Sequence, residues 1–124
     1  MIQQRAWTLE FPPGLPLLSL NGRLHWSERS RRNAAWKKAA WALAAAAHVP
    51  PLGRVTIAAE YQPPDRRRRD ADNVMLAVKS CIDGIVATGA LAGDDSRFVA
   101  GVSCRIGERY PKGRLVLVIT ELTP

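Results

Sequence analysis

The sequence predicts a small α/β (α+β) domain in which helices pack on a mixed β-sheet, in the order β-α-β-α-β-β. Three observations predict it. Short segments near the start, middle and end alternate apolar with polar residues, the signature of strands. Two longer runs of good helix formers separate them. The 124 residues show no internal repeat and no long linker, so a single domain spanning 1–124 is expected.

Arg5 to Phe11 alternates loosely and reads as a first strand, stopped by Pro12 and Pro13. An irregular Pro/Gly/Leu stretch follows to Leu20, and Asn21-Gly22 is a turn signal. Ser27 is the expected N-cap of the first helix, with Glu28 in its first turn facing the positive end of the helix dipole. From there to about His48 the chain is rich in Ala, Lys, Arg and Leu, and Pro50 and Pro51 stop it. Trp36, Ala40, Leu43 and Ala47 recur at helical spacing and are expected to face a core, with Arg29, Arg31, Arg32, Lys37 and Lys38 on much of the rest.

Arg54 to Tyr61 is the second strand, with Val55, Ile57 and Ala59 on one face, and Gln62 to Asp65 is a loop. A second helix is expected from about Asp72 to Thr88, ending before Gly89. Phe98, Ala100, Val102, Cys104 and Ile106 alternate as a third strand. A turn at Tyr110 to Gly113 leads into Leu115 to Leu122, which is apolar on both faces and expected to be central.

A net charge of +7 and an isoelectric point near 10.3 point to an acidic partner, nucleic acid being the commonest. The charge is divided unevenly. Residues 1–69 hold twelve basic against four acidic side chains, and residues 70–124 hold six against seven. The first half can therefore attract phosphate while the second concentrates carboxylates. No signal-peptide pattern and no stretch of roughly 20 apolar residues is present, so a cytoplasmic protein with no membrane partner is expected. Cys81 and Cys104 lack metal-type spacing and read as reduced, partly buried thiols.

The most informative stretch is Asp65-Arg66-Arg67-Arg68-Arg69-Asp70-Ala71-Asp72-Asn73. In an extended segment alternate residues point to one side, so Asp70 and Asp72 can converge on one ion. Magnesium takes one or two protein carboxylates and leaves phosphate and water to complete its octahedron. Arg66, Arg67, Arg68 and Arg69 stand beside such a phosphate. If the second helix begins near Asp72, Lys79 and Asp83 return to nearly the same face. Lys79 then either stabilises developing charge or forms a surface pair with Asp83 worth about a few tenths of a kcal/mol. Asn73 either orients a ligand or caps the helix. Downstream, Gly93-Asp94-Asp95-Ser96 is either a turn or the source of a third metal ligand.

Taken together, the Arg66–Arg69 run entering Asp70-Ala-Asp72-Asn73, the helix with Lys79 and Asp83-Gly-Ile, and Asp94-Asp95 before a strand resemble the RusA family of Holliday-junction resolvases. So do the closing Lys112-Gly113-Arg114 strand and the early Asn21-Gly-Arg element, which extend the resemblance over nearly the whole chain. It implies a RusA-like fold and a homodimer that binds four-way DNA junctions by shape and nicks two strands symmetrically. It implies Mg2+ as cofactor, with Mn2+ as a substitute, and no organic cofactor. Asp70, Asp72 and Asp95 match the metal-binding and catalytic acids, with Asp94 as the rival to Asp95. The family's essential lysine falls where this chain has Leu76, and Lys79 is the nearest counterpart, displaced about 5 Å along the helix axis. A bacterial or phage origin goes with the resemblance.

The Arg66–Arg69 run, with Arg29, Arg31 and Arg32, is expected to track phosphates, and Trp26 to stack on unpaired bases at a branch point. Trp36 and Trp41 are expected in the core or at a dimer contact. Two other readings stand beside this one. In the first, a non-catalytic basic protein binds DNA and the acids only balance the arginines. In the second, a metal nuclease acts on forks, flaps or RNA.

Overall fold

The computed structural model describes residues 4–18 and 25–122. Its elements are β1 (Ala6–Glu10), α1 (Trp26–Ala46), β2 (Val55–Gln62), α2 (Ala71–Ala87), β3 (Val99–Ile106) and β4 (Arg114–Glu121). This is the element order expected from the sequence, with ends that differ by one or two residues. The Asn21-Gly22 turn lies outside the described residues.

The four strands form one sheet in the order β1-β4-β2-β3. β4 lies between β1 and β2 and is antiparallel to both. Its Leu115, Leu117 and Ile119 are fully buried, which accounts for the apolar run that marked it as central. β2 and β3 are parallel, joined through α2 in the crossover that parallel pairing requires. β3 is therefore an edge strand, and α2 lies close to it.

β3 departs from strict alternation. Val55 pairs with Val99 but Thr56 pairs with Gly101, so Ala100 is an extra residue in a bulge. The bulge turns Val99 inward where a regular strand starting at Phe98 puts Ala100, and Val102 and Cys104 then face the helix side.

The cap of α1 also differs from expectation. The helix begins at Trp26, and His25 is its N-cap, with Nδ1 accepting from the Ser27 backbone N–H at 3.2 Å. Ser27 instead places its hydroxyl 2.7 Å from the same ring nitrogen. The buried stripe of α1 is Trp36, Ala40 and Ala44, while Leu43 is half-buried and Ala47 exposed. Trp36 anchors it: its ring lies 5.6 Å from that of Phe11, and its indole N–H donates to the Pro16 carbonyl at 2.9 Å. Trp41 remains about half exposed.

α2 is buried on two sides. Val74, Ala77, Val78, Cys81 and Ile85 are wholly buried, and Ser80 and Gly84 meet α1. The Ser80 hydroxyl donates to Asn33 at 3.0 Å. A Cβ at Gly84 would collide with the Lys37 carbonyl and lie 3.1 Å from the Ala40 Cβ, so the helices cross where only glycine fits. Both cysteines are free thiols, Cys81 buried and Cys104 partly so. Among the described residues no helix is long and apolar enough to cross a membrane.

In an open helix, Gly→Ala stabilises by about 1 kcal/mol. At Gly84 the sign reverses: G84A is expected to destabilise by about 1–3 kcal/mol through overpacking. Urea unfolding reads the difference, and a more stable G84A would refute the tight crossing.

Candidate functional site

The arginine run is organised by one carboxylate. Asp65 accepts from the Arg67 backbone N–H at 3.0 Å, from Arg67 Nε at 3.2 Å and from Arg69 Nη1 at 2.8 Å. Arg69 also donates to the Arg67 carbonyl at 3.0 Å. These contacts, Arg69 first and Arg67 next, hold the Asp65 carboxyl far below the usual carboxylate range. Two of the four arginines thus fold the loop, while Arg66 and Arg68 stay exposed. A cleft of about 620 Å³ opens between this loop and the β3–β4 turn, lined in part by Arg66, Arg67, Ile106, Glu108 and Arg109.

The loop ends at the start of α2. Asp70 is the N-cap in extended conformation, and α2 begins at Ala71. Asp72 is already helical, so the two carboxylates flank a helix start rather than alternating along an extended strand. The Asn73 N–H is satisfied by the Asp70 backbone carbonyl at 3.1 Å, and the Asp70 side chain makes no cap bond. Both carboxylates are exposed at the positive end of the α2 dipole. Asp72 stands near Cys104 on β3: burial raises that thiol's pKa first, and the Asp72 charge raises it further.

Further along α2, about 10 Å and 16 Å from Asp72 by helical rise, come Lys79 and Asp83. Both are exposed and share a face, as their spacing implied. With Asp94, Met75, Val99 and Val102 they line a cleft of about 390 Å³ between α2 and the start of β3. On the α1 side the same two residues border a smaller cleft of about 210 Å³ with Arg29, Asn33, Leu76 and Ser80. Leu76, where the resemblance to the RusA family would place that family's lysine, therefore faces α1. Lys79 borders both clefts.

Asp95 is placed differently. Its Oδ1 accepts from the Arg97 backbone N–H at 2.9 Å and from Arg97 Nε at 3.0 Å, and its Oδ2 accepts from Arg97 Nη2 at 2.9 Å. Its backbone carbonyl accepts from the N–H groups of Phe98 and Val99. The Arg97 contacts lower its pKa to about 2. Among the described residues no three His, Cys, Asp or Glu side chains are grouped so that they could hold a metal ion, so Asp70, Asp72 and Asp95 do not form the expected triad as placed.

The helical arginines are only partly available. Arg31 and Arg32 both bind Glu28, at 2.7 and 3.1 Å, and lower its pKa, while Arg32 also donates to the Leu17 carbonyl. Trp26 is about three-quarters exposed beside His25. Two contributions were not expected from the sequence: Asp65 as the organiser of the arginine run, and Arg109 on the far wall of its cleft. A lone acid leading four arginines is the signal for the first. The second depends on the β3–β4 turn folding back beside the β2–α2 loop, which local sequence does not show.

No protein-family model matches the chain. An uncharacterized protein of Xylella fastidiosa is 32% identical over 129 residues, an alignment covering 98% of this chain and 79% of the relative. The chain belongs to that protein's family. The alignment covers all but a few residues of this chain, so the site residues above lie within the aligned region.

The Asp95–Arg97 pairing gives a pH prediction with a definite sign. A carboxylate whose folded pKa is depressed contributes stability above its unfolded value, near 3.8, and loses it as pH falls through about 2. R97Q is therefore expected to be less stable than wild type above pH 4 and to converge on it toward pH 2. Acid unfolding followed by circular dichroism measures this, and a constant difference across that window would contradict it.

Proposed function

We propose that the chain is a magnesium-dependent endodeoxyribonuclease of the RusA type, a resolvase making paired symmetric nicks in four-way DNA junctions during recombination and repair. The observation that carries this reading is the pair of exposed carboxylates, Asp70 and Asp72, at the start of α2, directly after an arginine loop folded by Asp65. The resemblance of these residues to the RusA signature gives the reading its substrate.

The donor set fits a hard cation. Two carboxylates with no hydrogen bond among the described residues suffice for magnesium, which draws its remaining ligands from phosphate and water. Asp70 and Asp72 would hold it, and when bound it lowers the pKa of a bound water and offsets charge on the phosphate. Arg66 and Arg68 on the loop, and Arg109 across the cleft, supply cations that hold the DNA backbone. Lys79, on the same face as Asp72, supplies positive charge where the scissile phosphate gains negative charge. Arg29 borders the cleft on the other side of Lys79 and extends the basic track toward α1. Trp26 offers an exposed ring to an unpaired base.

Two coordinated nicks across a two-fold junction are most simply delivered by a two-fold homodimer. Light scattering tests this: a dimer is expected, and a monomer with full resolving activity would contradict it.

A specific observation favours a second reading, in which the protein binds DNA without cutting it: Asp65 and Asp95 both spend their carboxylates on arginines. One series of gels separates the two readings, using a synthetic four-way junction, fork, flap and duplex, each with and without Mg2+. The resolvase reading predicts paired nicks on the junction only with metal, and loss of cutting by at least about 100-fold in D72N with junction binding retained. Equal cutting of duplex, or unchanged cutting by D72N, would sink it. Junction affinity is expected to fall roughly a thousand-fold between 50 and 200 mM salt if about six phosphates are neutralised.

A further inference from the structure

Both helices pack on one face of the sheet and leave the other face open. We propose that this open face is where two copies of the chain meet, sheet against sheet, about a two-fold axis running along the strands. This rests on the homodimer of the proposed reading and not on its chemistry.

Leu9, Ile57 and Leu117 point into the core with the helices, so the alternate residues of their strands point away from it. Strand pairing sets these outward residues in rows across the sheet. One row reads Thr8, Val118, Ala58, Ser103, and the next reads Glu10, Val116, Glu60, Arg105. The centre of the face is small and apolar. Ala58 and Ser103 are exposed, and a hollow of about 350 Å³ opens over them beside Val116 and Val118. At Gly101, on the same face, a Cβ would meet nothing within 4 Å.

Charge singles this face out. Its outward strand positions carry two arginines and two glutamates, and these pair within the chain, Arg105 with Glu60 and Arg114 with Glu10. On a chain of net charge +7, the face is neutral. Two copies therefore approach here without the repulsion that opposes contact between basic surfaces. The other apolar hollow, about 250 Å³ beside Trp41 on α1, is lined by Lys37 and Lys38. Contact between two copies there sets lysine against lysine.

The strand order β1-β4-β2-β3 makes the face complementary to itself. A two-fold axis along the strands, midway between β4 and β2, sets β1 over the partner's β3 and β4 over the partner's β2. Each row then meets its own reverse. Val118 lies over the partner's Ala58, large on small, and Thr8 over the partner's Ser103. Glu10 lies over the partner's Arg105, and these two side chains are 62% and 76% exposed, free to reach across. Sheets packed in this way stay within about 30° of alignment and about 10 Å apart. Four strands about 4.8 Å apart and about seven residues long let two copies bury on the order of 1,000 Å², where specific interfaces begin. The same rotation leaves both β2–α2 loops, with their arginines, at one end of the pair.

Sedimentation equilibrium on the full chain tests this with A58E, W41A, E10R, R105E and the double variant E10R/R105E, each checked for folding by circular dichroism. A58E places a carboxylate at an exposed position, so it is expected to stay folded while dimerising at least about tenfold more weakly. W41A is expected to stay within about twofold of wild type. E10R and R105E are each expected to weaken the dimer about fivefold, and E10R/R105E to recover most of that loss. Within one chain these two positions lie on opposite edge strands, about 14 Å apart, so recovery can come only from contact between copies. A folded A58E that dimerises like wild type overturns the inference, as does a W41A that falls apart, and both outcomes leave the homodimer reading standing. Failure of E10R/R105E to recover overturns the axis along the strands. If wild type is a monomer at every concentration, the homodimer reading itself fails and the inference falls with it.

Discussion

The arrangement of α2 is the constraint on which the rest depends. Its Val74, Ala77, Val78, Cys81 and Ile85 are fully buried, and Gly84 admits α1 so closely that no side chain fits between them. With two flanks committed to sheet and helix, the remaining positions are fixed in direction. Asp72, Lys79 and Asp83 therefore share the one open face, beside the edge strand β3. Burial of apolar area drives the packing, and the chemical face is what that packing leaves over.

Electrostatics then divides the surface along α2. At one end the β2–α2 loop presents arginines, folded by Asp65 so that Arg69 is drawn inward while Arg66 and Arg68 stay in solvent. The loop delivers Asp70 and Asp72 to the positive end of the α2 dipole, where negative charge is favoured by about 0.3–1 kcal/mol per group. At the other end Asp83 and Asp94 flank Lys79.

Most of the fold was legible in the sequence because its signals are local. Alternation marked β1, β2 and β3, the paired prolines marked the end of α1, and the two-sided apolar run of residues 115–122 marked β4 as internal. The errors came from side-chain and pairing choices that periodicity does not encode. His25 displaced Ser27 as cap because its ring reaches the Ser27 N–H. The bulge at Ala100 changed which β3 residues face inward. The site was legible in composition but not in direction. Asp70, Asp72 and Lys79 were identified by residue type and spacing, and α2 presents the last two along one open side. Which member of the Asp94-Asp95 pair faces the cleft depends on Arg97, two residues later, and no periodicity encodes that choice. Arg109 lines the cleft beside the arginine loop only because the β3–β4 turn folds back on that loop, so its place appears only in three dimensions.

In the proposed reading a divalent cation is held at the start of α2 by Asp70 and Asp72. Titrating Mn2+ into 15N-labelled protein and following paramagnetic broadening of amide signals tests it most directly. Broadening is predicted first at residues 70–73, then at the neighbouring end of β3 around Cys104, and not in D72N. Broadening centred elsewhere, or unchanged in D72N, would contradict the account.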